Sequence, residues 1–272
     1  MKRLLFITII ISTLPFHLFS QNKEQGLIDE VMLHPADAFT GYTFEKGEWA
    51  YNQALTPYPS WGWWGITDWL TTEIDLEAWL GGVPSFNFRF RLLEQKNIVP
   101  NLSYEIMYQY IDTRFDQMEN LDYLNIYRKG NSLYNHLNAS WRISNSFYVH
   151  LSGGFTYSEN ITIENNDTLN YTGKSFKDLI SPDVSLGVDW RLKPWITFHS
   201  TYSYGSTFLY IDNVPRKKQF VVGTRVAPFI NNRIGFFNSL RFELAYLSIY
   251  FDDAKQDLSG PIGFLYWQWN FN

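Results

Sequence analysis

The chain has 272 residues, a formal charge of −5 and no cysteine, which excludes disulfides, lipid attachment at a cysteine and thiolate metal sites. Aromatic residues make up 19% of it, yet after residue 20 no apolar run approaches the ~20 residues of a membrane-spanning helix. Mild acidity with scattered lysines argues against nucleic-acid binding, and so many aromatics without long apolar runs must be buried by alternation.

At the N-terminus, Lys2 and Arg3 precede an apolar stretch from Leu4 to Leu14, and a polar stretch from Gln21 to Gln25 follows. This pattern predicts a signal peptide over 1–20, cleaved at Ser20-Gln21, and so an exported protein. Residues 21–45 are expected to form a periplasmic tail or a partial plug of whatever follows.

From residue 46 to 272 the pattern changes to period two. Ile74, Leu76, Ala78 and Leu80 interleave with Glu73, Asp75, Glu77 and Trp79. Phe86, Phe88 and Phe90 interleave with Asn87, Arg89 and Arg91, and Leu102 to Tyr110 with Ser103, Glu105, Met107 and Gln109. Val184 to Leu192 alternate with Asp183, Ser185, Gly187, Asp189 and Arg191, and Leu240 to Tyr246 with Arg241, Glu243 and Ala245. A helix would spread these charges round its surface, whereas a strand puts them on one face. Strands are predicted near 46–55, 59–66, 68–80, 85–94, 100–112, 132–143, 146–158, 181–192, 195–207, 218–228, 236–250 and 262–272. Many run longer than the ~5–6 residues usual in soluble sheets and suit tilted membrane strands, which disfavours the alternative of a soluble β-sandwich.

The links between predicted strands alternate from residue 94 onward. Those at Glu94 to Val99, Ser144-Asn145, Lys193-Pro194 and Phe229 to Gly235 are short, and those at 113–131, 159–180, 208–217 and 251–261 are long and polar. Short periplasmic turns and long external loops mark outer-membrane barrels. The expected fold is therefore an all-β, transmembrane, antiparallel up-and-down β-barrel in the cell outer membrane, with both termini periplasmic. Twelve strands are expected, or ten if residues 40–66 lie outside the wall. Leu265, Trp267, Trp269 and Phe271 give the last strand an apolar face, as in a closing strand addressed to the barrel assembly machinery. Trp61, Trp63, Trp64, Trp69 and Trp79 suit interfacial girdles.

Phe44-Glu45-Lys46-Gly47-Glu48-Trp49, followed by Trp64-Gly65-Ile66-Thr67-Asp68-Trp69-Leu70 and Glu73, resembles the opening of outer-membrane barrels described as putative transporters or phenol-degradation-pathway proteins. The resemblance covers roughly residues 40–95. It implies a barrel and uptake of small apolar or aromatic compounds, and its motifs are turn and strand signals.

Two constellations stand out on the inward face. A tight hairpin at Gly81 to Pro84 would set Glu77 opposite Arg89 and Asp75 opposite Arg91, with Glu73 and Glu105 close by. Opposite charges across strands stabilise the pair and can form a constriction in a lumen. The wider inward set adds Asp183, Asp189 and Glu243 against Arg142, Arg191, Arg225 and Arg241, a near balance that disfavours a strongly ion-selective pore. Second, a turn at Ser144-Asn145 would place His136 against Ser152 and Asn138 against His150. The His-x-Ser spacing of His150 and Ser152 is shared with membrane lipid hydrolases, but Val149 and Leu151 claim the lipid side, so ordinary lumen polarity is the better reading and no enzyme is expected. His136, His150 and His199 raise a metal site, set aside because no acidic shell is evident. No cofactor is expected. The Arg216-Lys217-Lys218 run suits lipopolysaccharide phosphates. The expected function is a narrow channel or transporter for small solutes, with a scaffolding barrel of an envelope complex as the alternative.

Overall fold

The structure, a computed structural model, describes residues 40–54, 61–76, 79, 84–114, 126–165, 174–176, 179–205, 217–229, 234–251 and 256–270. The signal peptide expected over 1–20, residues 21–39, Glu77, Arg216 and Phe271 lie outside them.

Thirteen strands form one antiparallel sheet. They are β1 Glu48–Ala54, β2 Trp61–Thr67, β3 Leu70–Asp75, β4 Ser85–Leu93, β5 Asn101–Arg114, β6 Ile126–Ser144 and β7 Phe147–Asn165, then β8 Lys174–Phe176, β9 Leu179–Lys193, β10 Ile196–Gly205, β11 Lys217–Val226, β12 Leu240–Phe251 and β13 Gln256–Asn270. β8 is a flap paired only to the far end of β7, and β7 continues the wall by pairing with β9. The wall closes where β1 meets β13, from Glu48 opposite Asn270 to Ala54 opposite Phe264. It is a twelve-strand barrel with β1 and β2 inside the wall, which disposes of the ten-strand alternative.

The alternation sorts as the period predicts. On β4, Phe86 and Phe88 are exposed while Ser85, Asn87 and Arg89 are buried. On β9, Val184, Leu186 and Trp190 are exposed while Ser181, Asp183, Ser185 and Asp189 are buried. Apolar groups outside and polar groups inside invert the arrangement of a soluble protein. The closed ladder leaves no strand edge in the wall, and this is the condition for crossing lipid with strands. The fold is that of an outer-membrane barrel.

The structure differs from the expected elements in three places. Residues 236–239 are not strand: Phe237 and Asn238 both donate backbone N–H bonds to the Ile234 carbonyl, so Gly235–Asn238 make one helical turn (α1) before β12. β6 and β7 run further than expected, pairing out to Ile126 and Asn165, and the extension is flanked by β5 as far as Arg114 and by β8. Trp63 is buried on the inner face at 3% exposure, so it is no girdle residue, whereas its neighbour Trp64 faces out. The inner wall is also zoned. Val221, Ala245, Leu247 and Ile249, with Ile262 against them, form an apolar patch toward the long-loop end of β11–β13. The remaining inner wall is mostly polar.

Candidate functional site: the barrel lumen

The segment just before β1 lies inside the barrel. Gly41 N donates to Ser140 Oγ at 2.8 Å, and Thr40 Oγ1 sits 3.1 Å from the same oxygen. Ser103 Oγ donates to the Thr40 carbonyl at 3.1 Å and Arg89 Nη1 to the Tyr42 carbonyl at 3.4 Å. Phe44 N donates to Thr71 Oγ1 at 2.8 Å. Each of these bonds uses an inward side chain of β3, β4, β5 or β6 rather than a strand ladder. Gly41 is needed for the approach, because a Cβ there would run into the Asn101 carbonyl oxygen.

Beside the segment, Glu105 gathers the first constellation. Arg89 reaches it with Nη2 and Nε at 3.1–3.2 Å. Asn87 Nδ2 donates to its Oε1 at 2.6 Å and Asn138 Nδ2 to its Oε2 at 2.7 Å. Asn87 Nδ2 also donates to Glu73 Oε2 at 2.8 Å. Glu73, Arg89 and Glu105 are thus brought together, but not by the expected pairs. Arg89 stands opposite Thr71 on β3, because β3 and β4 pair only from Leu70–Glu73 to Asn87–Phe90. Asp75 lies beyond that ladder, opposite Trp61 of β2. Arg91 is at the short-turn end, paired with Glu94 at 2.7 Å.

The histidines form the second constellation, also in a different register. The turn falls at Asn145-Ser146 and a bulge sits between Arg142 and Ser144. His150 therefore faces Ser140, Asn138 faces Ser152, and His136 faces Gly154. Ser152 is buried on the inner face. His150 Nδ1 lies 2.8 Å from Ser140 Oγ and its Nε2 3.3 Å from Asp189 Oδ2. His136 Nε2 lies 3.0 Å from Asp183 Oδ2, to which Thr156 also donates. His199 Nε2 lies 3.3 Å from Glu243 Oε1, and Arg225 Nη2 holds the other Glu243 oxygen at 2.6 Å.

A repeated device underlies these pairs. Each inward histidine stands opposite an inward glycine of the next strand in the wall: His136 and Gly154, His150 and Gly187, His199 and Gly223. A Cβ on Gly154 would meet His136 Cδ2 at 2.5 Å, and one on Gly223 would meet His199 Nε2 at 2.6 Å. At these two positions the missing side chain makes room for the ring, whereas a Cβ on Gly187 would meet His150 at an ordinary 3.5 Å. So the acidic partners held to be absent are present, but each serves one histidine. Among the described residues no three ligating side chains gather for a metal.

Ser140, His150 and Asp189 have the connectivity of a hydrolytic relay. The serine is fully buried, and its oxygen is already occupied by Gly41 N–H and Thr40, leaving no approach for an ester. Ser140 was legible as inward from its spacing to His136 and Asn138. Its pairing to His150 was not, because that depends on the bulge.

No family model matches the chain, and no curated protein matches it. Among solved structures, it is similar to a KdgM porin (TM-score 0.38, 8% identity, 83% of this chain and 98% of that one). It is also similar to the COG4313 outer membrane channel from Pseudomonas putida F1 (TM-score 0.45, 12% identity, 88% and 100%). A third is the CymD monoaromatic hydrocarbon channel (TM-score 0.33, 8% identity, 84% and 90%). These likenesses lie in barrel outline.

Proposed function

We propose that the chain is a narrow outer-membrane channel for small solutes, with its short turns and both termini on the periplasmic side. One observation carries this reading: a stretch of chain, Thr40–Glu45, lies inside the lumen and is held there by side-chain hydrogen bonds. An eight-strand barrel is filled by its own side chains, whereas wider barrels enclose space. Twelve strands leave room that this segment occupies. A barrel needed only as a scaffold could be filled by apolar side chains, without the desolvation cost of buried ion pairs such as Arg89–Glu105 and Arg225–Glu243.

The test compares the wild-type protein with Gly41→Val in planar bilayers and in liposome swelling with glycerol. A Cβ at Gly41 cannot be accommodated against Asn101, so the variant is expected to lose the segment's seat and conduct more than wild type. If both proteins are folded and neither passes ions nor glycerol, the scaffold alternative takes over.

The polar inner wall favours hydrophilic solutes. A second reading, solutes with an apolar or aromatic body, is supported by the inner patch of Val221, Ala245, Leu247 and Ile249. Hydrolysis is not proposed, since Ser140 is capped and Ser152 is buried away from lipid.

A further inference from the structure

At the short-turn end, the lumen segment and the wall border an open cavity of about 580 Å³, within the ~300–1,000 Å³ typical of small-molecule sites. Tyr42, Thr43 and Glu45 of the segment line it on one side, and Arg91, Glu94 and Arg142 of the wall on the other. The lining is mostly polar, which disfavours an apolar occupant.

The charges of the lining are only partly compensated. Arg91 and Glu94 neutralise one another at 2.7 Å. Arg142 is fixed by Gln95, whose side chain accepts from Arg142 N at 2.7 Å and donates to its carbonyl at 3.1 Å. Its guanidinium gives Nη2 to Asn145 Oδ1 at 2.8 Å and lies 5.8 Å from the Tyr148 ring centroid. A guanidinium has five N–H donors, and among the described residues no carboxylate pairs with this one. Glu45 is exposed, and its carboxylate likewise has no cationic partner among the described residues. The Thr43 hydroxyl is buried beside them without a hydrogen-bond partner there. One uncompensated cation and one uncompensated anion thus face a shared cavity from separate elements.

We propose that this cavity binds a small zwitterion of amino-acid size, its carboxylate taken by Arg142 and its ammonium by Glu45. The inference rests on the channel reading, since the cavity lies in the mouth through which solute would pass. Charge-assisted hydrogen bonds give both contacts their strength. The same two groups give discrimination, because a simple anion meets Glu45 and a simple cation meets Arg142.

The experiment is calorimetry on the purified, detergent-solubilised full chain, with L-alanine, lactate and isopropylammonium as probes of matched size. L-alanine is expected to bind saturably, and each singly charged probe about tenfold more weakly. Arg142→Gln and Glu45→Gln should each weaken L-alanine by about the same factor, and Glu45→Gln should bring lactate up toward it. Both positions are exposed, so the variants should fold, and heat-modifiable migration checks that they do. No saturable L-alanine binding, or binding indifferent to both substitutions, overturns the site. Glycerol flux measured alongside separates the two claims: its absence removes the channel reading, and the binding result still decides the site.

Discussion

Arg89 and Arg91 are two residues apart on one strand face, yet their roles diverge. Arg89 is buried against Glu105 with both side chains under a tenth exposed. Removing it strands a carboxylate that Asn87 and Asn138 only partly satisfy. Arg89→Ala should therefore lower stability by roughly 3–5 kcal/mol, the usual cost of breaking a buried pair. Arg91 pairs with Glu94, whose side chain is 66% exposed, so Arg91→Ala should cost at most about 1 kcal/mol. The temperature at which the folded gel band converts to the unfolded one reads both, and equal effects would count against the buried pair. The histidine–glycine contacts give a second test. Gly223→Leu should block assembly, because its Cβ meets His199 at 2.6 Å and the Ala245 Cβ at 2.7 Å. Gly153→Leu meets nothing within 4 Å and should assemble normally. Recovery of Gly223→Leu in the folded band at wild-type yield would refute the contact.

Between elements, the β6–β7 hairpin carries one extra residue. Ile143 has no partner in the register between Arg142 opposite Tyr148 and Ser144 opposite Phe147. A bulge of this kind shifts one strand by a residue against the other, and a one-residue slip reverses every facing. Deleting Ile143 removes the extra residue without such a slip, because Arg142 and Ser144 become consecutive opposite Tyr148 and Phe147, and His136, Asn138 and Ser140 keep their partners. The folded band should be kept, and its loss would show that the bulge itself is needed for assembly. The same bulge marks the limit of what the sequence discloses. Strand positions, their inward faces and the alternation of link lengths are local period-two properties, and Glu105, His136, Asn138 and His150 could be placed on the lumen side from them. Which inward residues meet is a matter of register. For β3 and β4 a hairpin at Gly81 to Pro84 implies Glu77 opposite Arg89, six residues from the observed partner Thr71. Contacts that skip a strand, such as His136 over Gly154 to Asp183, require the glycine and both registers together. For the lumen segment the sequence leaves a tail and a partial plug both open, and its contacts are illegible, because Thr40–Glu45 has no period and its partners Ser103 and Ser140 lie 63 and 100 residues from Thr40.

For the molecule as a whole, an apolar exterior and a closed ladder require lipid around the wall. The protein should fractionate with the outer membrane and keep its compact gel migration until boiled. Recovery from the soluble periplasmic fraction would contradict the fold as described. Closure also sets an order of events. The seam joins Glu48 to Asn270, the widest sequence separation in the wall, so it must await the last strand and bears a large loop-closure cost. Thr40–Glu45 leads straight into β1, which forms one side of that seam. The segment seats against Asn101, Ser103 and Ser140, near the short turns from which β1 also starts, so the mouth at that end is its way in and out once β1 has met β13. Closure fixes where the segment is tethered, and its side-chain bonds to β3, β4, β5 and β6 then hold it inside. The barrel thus carries its own stopper on a short leash.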